Sequence, residues 1–152
     1  MINIKDKIFV ISGTSSGIGN YLAKELLKLK CIVVGISRKR TLINDKRFTN
    51  YCLDLNSSIQ VKKLKFFLKN KFKKIDVLIN NAASDYIPNK KKDKLSLEDL
   101  NFDIWKNDLN VGLDGAFICT KIFGSIMASK KKGVILNISS DLGIIAPNQD
   151  IY

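Results

Sequence analysis

The sequence predicts an α/β protein built on a doubly wound parallel sheet with helices on both faces. Strand-like and helix-like segments alternate along the whole chain, and no Pro/Ser-rich linker divides them. The strand-like runs, such as Ile8–Ile11 and "CIVVGI" at 31–36, are continuously apolar, as expected where both faces of a sheet are covered. A turn rich in glycine and hydroxyls, Ser12–Gly19, joins the first of these runs to the first helical one. With 152 residues and 45% hydrophobic content, the chain is long enough for one core, and residues 1–152 are expected to form one domain.

In chain order, Lys7–Ser12 makes the first strand, and Gly17–Lys30 a helix with Tyr21, Leu22, Leu26 and Leu29 at helical spacing. "CIVVGI" is the second strand. A polar stretch without periodicity precedes a short third one, "YCLDL" at 51–55. Ser57 is the expected N-cap of a helix that buries Ile59, Val61, Leu64, Phe67 and Leu68, and "IDVLIN" at 75–80 is the fourth strand. A loop with Pro88 and a basic cluster leads to Ser96, a capping-type residue. A helical region then runs from about Leu97 to Ala128, in one or two pieces, before a fifth strand, "GVILNIS" at 133–139. Right-handed crossovers put these strands in the order 3-2-1-4-5, a three-layer α-β-α, Rossmann-like arrangement.

Composition removes several chemistries. The chain has no histidine, which excludes Ser-His-Asp and Cys-His mechanisms and leaves Tyr, Lys, Asp, Glu and Ser for acid/base work. Cys31, Cys52 and Cys119 stand far apart without a CxxC pair, so neither a disulfide framework nor a metal site is expected. The formal charge of +12 comes mostly from lysine clusters at 62–74, 90–94 and 130–132. Such charge would steer nucleic acid or anionic ligands. The plainer account is lysine on solvated faces, and the nearby Phe66, Phe67 and Phe72 fall on an apolar helical face rather than forming a base-stacking surface. No nucleic-acid partner is expected. No apolar run approaches the ~18–20 residues that span a bilayer, and the N-terminal apolar stretch is too short and too close to Asp6 for a signal peptide. A cytoplasmic protein without a membrane partner is therefore expected.

In a sheet of this topology, the turn after the first strand sits at the carboxyl edge beside the switch point, where ligands bind. Unpaired N–H groups at the helix start form an anion site, and glycine admits a pyrophosphate without a Cβ in the way. Gly13, Gly17 and Gly19 would serve the turn and the approach, with Ile18 between the last two. Thr14, Ser15 and Ser16 would offer hydroxyls to phosphate or ribose. The alternative is a tight turn that needs glycine only for its dihedrals.

The spacing is G-x-x-x-G-x-G rather than G-x-G-x-x-G. "SGTSSGIG" resembles the TGxxxGIG fingerprint of the short-chain dehydrogenase/reductase family, with Ser12 in place of the usual Thr. "CLDL" places Asp54 and Leu55 like the family's Asp-hydrophobic pair, which contacts adenine. "NNAA" at 80–83 resembles the family's NNAG, Ala83 replacing Gly, and the resemblance implies a cofactor role for Asn81, Ala82 and Ala83. "NISSDLG" at 137–143 is similar to the fifth-strand segment that ends in the family's catalytic serine. These four ordered matches cover essentially the whole chain. "NVGLDGAFICTKIFGSIMA" at 110–128, followed by "NISSDLGIIAP", further resembles a bacterial branch associated with flagellin or surface-glycan modification, which implies sugar-type substrates. The resemblance also implies a small-molecule carbonyl or hydroxyl substrate and a homo-oligomer paired through the long helices beside the fourth and fifth strands.

For the cofactor, an acidic residue closing the second strand suits NAD and a basic one NADP. Here the strand closes "GISRKR", with Ser37 at the acidic position and Arg38 next, so NADP is expected over NAD. The alternative is that Arg38 is one surface cation among many.

Family chemistry is hydride transfer with a tyrosine as general acid/base, a lysine four residues on, and a serine that orients the substrate oxygen. An unperturbed tyrosine titrates near 10, so it needs that positive neighbour. Ser140 best matches the serine, with Ser139 as the nearby alternative. Tyr152 stands twelve positions after Ser140, close to the family interval. It is either the family tyrosine severed from its lysine or an ordinary loop residue. The sequence stops there, and the expectation is a truncated chain, its sheet incomplete on the C-terminal side: the cofactor-binding front of an oxidoreductase, or alternatively a non-catalytic dinucleotide-binding module or inactive remnant. Aligning Trp105, Val111, Leu113, Gly115 and Phe117 with the family puts Gly112 where an asparagine organises a proton relay. Asn110 lies two residues earlier and, at ~100° per residue, on a different face. A kink at Gly112 that admits a water is the other possibility.

Overall fold

The computed structural model describes residues 3–84 and 101–145. Five strands, β1 (Ile8–Ser12), β2 (Ile32–Ser37), β3 (Phe48–Cys52), β4 (Val77–Asn80) and β5 (Val134–Asn137), pair in parallel in the order β3-β2-β1-β4-β5. This is the expected order. Helices α1 (Gly17–Lys28), α2 (Ser58–Phe72), α3 (Phe102–Leu109) and α4 (Gly115–Ser129) connect them. Successive side chains on a strand point to opposite faces. Val10, Val34, Ile36 and Leu78 accordingly pack with Val61, Leu64 and Leu68 of α2 and with Cys119 and Phe123 of α4. Phe9, Ile11, Val33 and Ile79 pack with Ala23 and Leu27 of α1 on the other face. The result is three layers.

Several elements differ from expectation, for identifiable reasons. The third strand is Phe48–Cys52 rather than 51–55, because Phe48 leaves the polar stretch to lay its ring over Gly35, whose missing side chain makes the room. Leu53 and Leu55 remain buried beyond the strand, and the Leu53 N–H donates to the Ser37 carbonyl. On α1 the small residues Gly19 and Ala23, with Leu27, meet the sheet, which leaves Tyr21 and Leu29 exposed. On α2 the buried row is Val61, Leu64 and Leu68, while Ile59 is 67% and Phe67 42% exposed. Phe67 stacks edge-on against Tyr51 instead, and Phe66 is exposed. Ser57 caps α2 as expected, accepting from the Gln60 N–H at 3.4 Å.

The expected helix start at Leu97, with Ser96 as its cap, lies outside the described residues. Asn101 caps α3 by accepting from the Asp103 N–H at 2.8 Å. Between α3 and α4 a π-helical turn, Asn110–Asp114, interrupts an otherwise continuous helical run, Phe102–Ser129. By length and composition this run is apolar enough to cross a membrane, its most apolar 18 residues reaching a mean hydropathy of 1.4, contrary to the expectation that no apolar run approaches spanning length. Its apolar side chains Cys119, Ile122, Phe123, Ile126 and Met127 are instead buried in the core. The expectation of strands covered on both faces fails at β5, whose residues are all exposed at the sheet edge. Among the described residues, α4 approaches β5 through Ile135, while Val134 and Leu136 are left open.

The amino end of the sheet is tied by Asp76. Its buried carboxylate accepts the Ile8 N–H at 2.9 Å and pairs with Lys74 at 3.0 Å and Lys7 at 3.5 Å. Burial by itself raises the carboxyl's pKa, but the Ile8 N–H and the two ammonium groups outweigh it and hold the group below its ordinary value. A depressed carboxylate stabilises the fold above its unfolded pKa of about 4, and that contribution is lost as the pH falls through the lower folded value. Asp76→Asn is therefore expected to cost about 1–3 kcal/mol near neutral pH. The gap from the wild type should close as the pH falls below about 4, as read from urea unfolding at a series of pH values.

Candidate functional site

The carboxyl ends of β1 and β4 are held together by a dense set of bonds around the glycine turn. Ser12 is buried, and its Oγ accepts the N–H groups of Asn81 and Ala82, both at 3.0 Å. The Asn81 side-chain amide returns to the Ser12 carbonyl at 3.1 Å and the Gly13 carbonyl at 3.4 Å. Gly13 (φ +77°) and Gly17 (φ +55°) take left-handed backbone conformations that side chains disfavour. Gly19 is needed for space: a Cβ there would stand 2.3 Å from the Gly13 oxygen and 2.5 Å from the Asn81 Nδ2. The start of α1 thus rests directly on the turn. Its first N–H groups have no intrahelical partner, and the Ser16 hydroxyl makes no capping bond to them.

Two joined hollows flank this turn. The smaller, about 290 Å³, is walled by Gly13, Ser15 and Ser16 on one side, by Ser37, Arg38 and Lys39 on a second, and by Asp54, Leu55, Ala82 and Ala83 on a third. The larger, about 1320 Å³, continues from Gly17 and Ile18 past Asn81 and Ser84 to Gly112, Asn137, Ser139 and Ser140. The predicted residues that the structure describes therefore converge on one cleft, with two exceptions. Gly19 lies under it as a contact surface. Thr14 is fully buried and does not line it; its Oγ1 lies 2.9 Å from Thr41 Oγ1, so its hydroxyl turns inward. Tyr152 lies outside the described residues.

At the far end, Asn80 Nδ2 donates to Thr120 Oγ1 at 3.0 Å and to Asn137 Oδ1 at 2.8 Å, bonding β4, α4 and β5 beneath the larger hollow. No motif in the sequence marks this bracket. The available signal was that β4 and β5 both end in asparagine, which a parallel pairing places side by side. Ser140 Oγ donates to Asp141 Oδ1 at 3.2 Å in the short turn after β5. Gly112 faces the hollow from the π-helical turn, and a Cβ at this position would meet nothing within 4 Å. Asn110 is not among the residues lining the hollow, so it does not stand in for the family asparagine there. Gly112 lies within this π turn, Asn110–Asp114.

A parallel sheet in this order, with a glycine turn and a hydroxyl- and amide-lined cleft at its carboxyl edge, defines a dinucleotide-binding α/β protein. The family model described as short chain dehydrogenase matches residues 7–152, and the chain belongs to that family. It is 30% identical to the 2-dehydro-3-deoxy-D-gluconate 5-dehydrogenase of Bacillus subtilis over 95% of this chain and 59% of the relative. A crystal structure of a short chain dehydrogenase from Leptospira borgpetersenii with bound NAD+ superimposes with a TM-score of 0.87 at 25% identity, over 99% of this chain and 57% of that one. The structure of ElxO with NADP bound gives 0.82 at 26% identity, over 96% and 60%. The chain thus spans about three fifths of the length of these relatives.

The close approach at Gly19 sets an expectation. Gly19→Ala would push α1 off the turn, and affinity for a nicotinamide dinucleotide should fall at least roughly tenfold, as measured by calorimetric titration alongside a thermal melt.

Proposed function

We propose that this chain is the cofactor-binding front of an NADP(H)-dependent oxidoreductase acting on a carbonyl or hydroxyl group of a small, sugar-type molecule. The observation that carries the cofactor choice is the wall formed by Ser37, Arg38 and Lys39 at the end of β2, where cations meet the smaller hollow and Asp54 is its one acidic lining residue among the described residues. A 2′-phosphate suits that wall better than a bare ribose does. The sugar-type substrate rests on the sequence of 110–143 and on the sugar-acid activity named for the Bacillus relative.

When bound, the nicotinamide supplies the hydride. The protein's own part begins at the start of α1, whose N–H groups would receive the diphosphate while Ser15 and Ser16 offer hydroxyls beside it. Ala82 and Ala83 line both hollows beside it. Ser140 would orient the substrate oxygen, and Tyr152 would move the proton. Gly112 supports a second reading, a module that binds the dinucleotide without turnover, because the relay asparagine is missing from the helix that faces the hollow.

The proposal extends to one domain in a reducing, cytoplasmic setting, which the three free cysteines support. No nucleic-acid or membrane partner belongs to it. A homo-oligomer does: Phe102, Trp105, Leu109 and Leu113 leave an exposed apolar stripe along the long helical run.

NADPH is expected to bind at least roughly tenfold more tightly than NADH. Ser37→Asp should reverse the order, since its carboxylate accepts from ribose hydroxyls and repels a phosphate. Equal affinities in the wild type would refute the NADP reading, and oxidation of NADPH with a panel of keto-sugars separates enzyme from binding module. Sedimentation should show a dimer that Leu109→Glu converts to monomer with NADPH affinity retained.

A further inference from the structure

We propose that Thr41 is a positioning residue for cofactor choice, holding the cationic turn after β2 in place through a directed chain of buried hydroxyls; this rests on the NADP reading above. Ser37 Oγ donates to the Lys39 carbonyl at 2.6 Å. A carbonyl only accepts, so the single proton of Ser37 is committed to it. Ser37 Oγ lies 3.2 Å from Thr41 Oγ1, and with its own proton used it accepts there, so Thr41 donates. Thr41 Oγ1 lies 2.9 Å from Thr14 Oγ1, and by the same reasoning Thr14 donates to Thr41. The order Thr14 to Thr41 to Ser37 to the Lys39 carbonyl is fixed at one end by an atom that has no alternative.

All three hydroxyl residues are buried, with Thr14 fully so. Gly35 makes the first link possible, since a Cβ there would stand 2.6 Å from Thr14 Oγ1. The chain starts beneath the glycine turn that faces the diphosphate and ends on the backbone of the turn that faces the ribose. It thereby ties the cationic turn after β2 to the buried side of the glycine turn.

Two consequences follow for recognition. Ser37 lines the smaller hollow but has no proton left for a ligand oxygen, so a 2′-phosphate must be met by Arg38 and Lys39, both in the same wall. Their placement depends on the Lys39 carbonyl, which Ser37 holds in a rotamer that the Thr41 hydroxyl supports by donating to it. Thr41 is absent from that lining, so it acts through the turn and not on the ligand.

The test uses the full chain and compares Kd for NADPH and NADH. Thr41→Val removes the donor at nearly constant volume; the NADPH preference should fall roughly fivefold, through NADPH alone, with NADH unchanged. Thr41→Ser should restore it. Ser37→Ala, which breaks the same chain one link later, should reproduce the loss and serves as the readout if Thr41→Val does not fold. An unchanged preference in Thr41→Val, or in Ser37→Ala, overturns the inference while leaving the NADP reading intact. Equal weakening of both cofactors overturns it as well, because Thr41 would then only support the fold. A wild type without preference overturns the NADP reading and this inference with it.

Discussion

The contact between Gly19 and the Gly13 carbonyl sets the geometry on which the rest depends. Because no side chain separates them, α1 starts directly on the turn that ends β1, and its unpaired N–H groups open at the carboxyl edge of the sheet. The same contact selects which face of α1 packs: Gly19, Ala23 and Leu27 go inward, and larger apolar residues are pushed to the flanks. Asn81 and Ser12 hold the β4 turn against this point from the other side. The cleft is therefore a product of backbone proximity, and the side chains around it mostly secure that proximity.

That arrangement divides the polar residues of the glycine turn into two groups. Ser15 and Ser16 face the cleft, while Thr14 turns inward and joins Thr41 and Ser37. A stretch that looks uniform in the sequence thus serves both a ligand and the scaffold beneath it. Burial decides the split: a hydroxyl without access to water must find a partner in the protein, and Thr14 finds it in Thr41.

Much of this was legible in the sequence. The strand order, the place of the glycine turn and the convergence of Ser37, Arg38, Asp54 and Asn81 on one cleft follow from alternation, apolar continuity and motif order. What escaped depends on contacts between distant segments. The start of β3 is hidden because Phe48 sits in a polar context and its ring lies over Gly35 of the neighbouring strand. The buried face of α2 departs from expectation at Ile59 and Phe67, since periodicity counts apolar residues without knowing how closely the backbone approaches. Thr41 carried no signal at all, and Ser12 registered only as a departure from a motif. The bracket of Asn80, Thr120 and Asn137 spans three elements, so only the folded sheet brings it together.

The lysine run at Lys130, Lys131 and Lys132 bears on how this protein behaves in company. These exposed residues stand immediately before β5, within a sequence of net charge +12. Copies that approach one another bring such cations together, a repulsion that reaches about 8 Å at physiological ionic strength and shortens as salt is added. The lysine richness that looked like mere decoration thus doubles as colloidal insurance, and its strength is set by the ionic medium rather than by the fold.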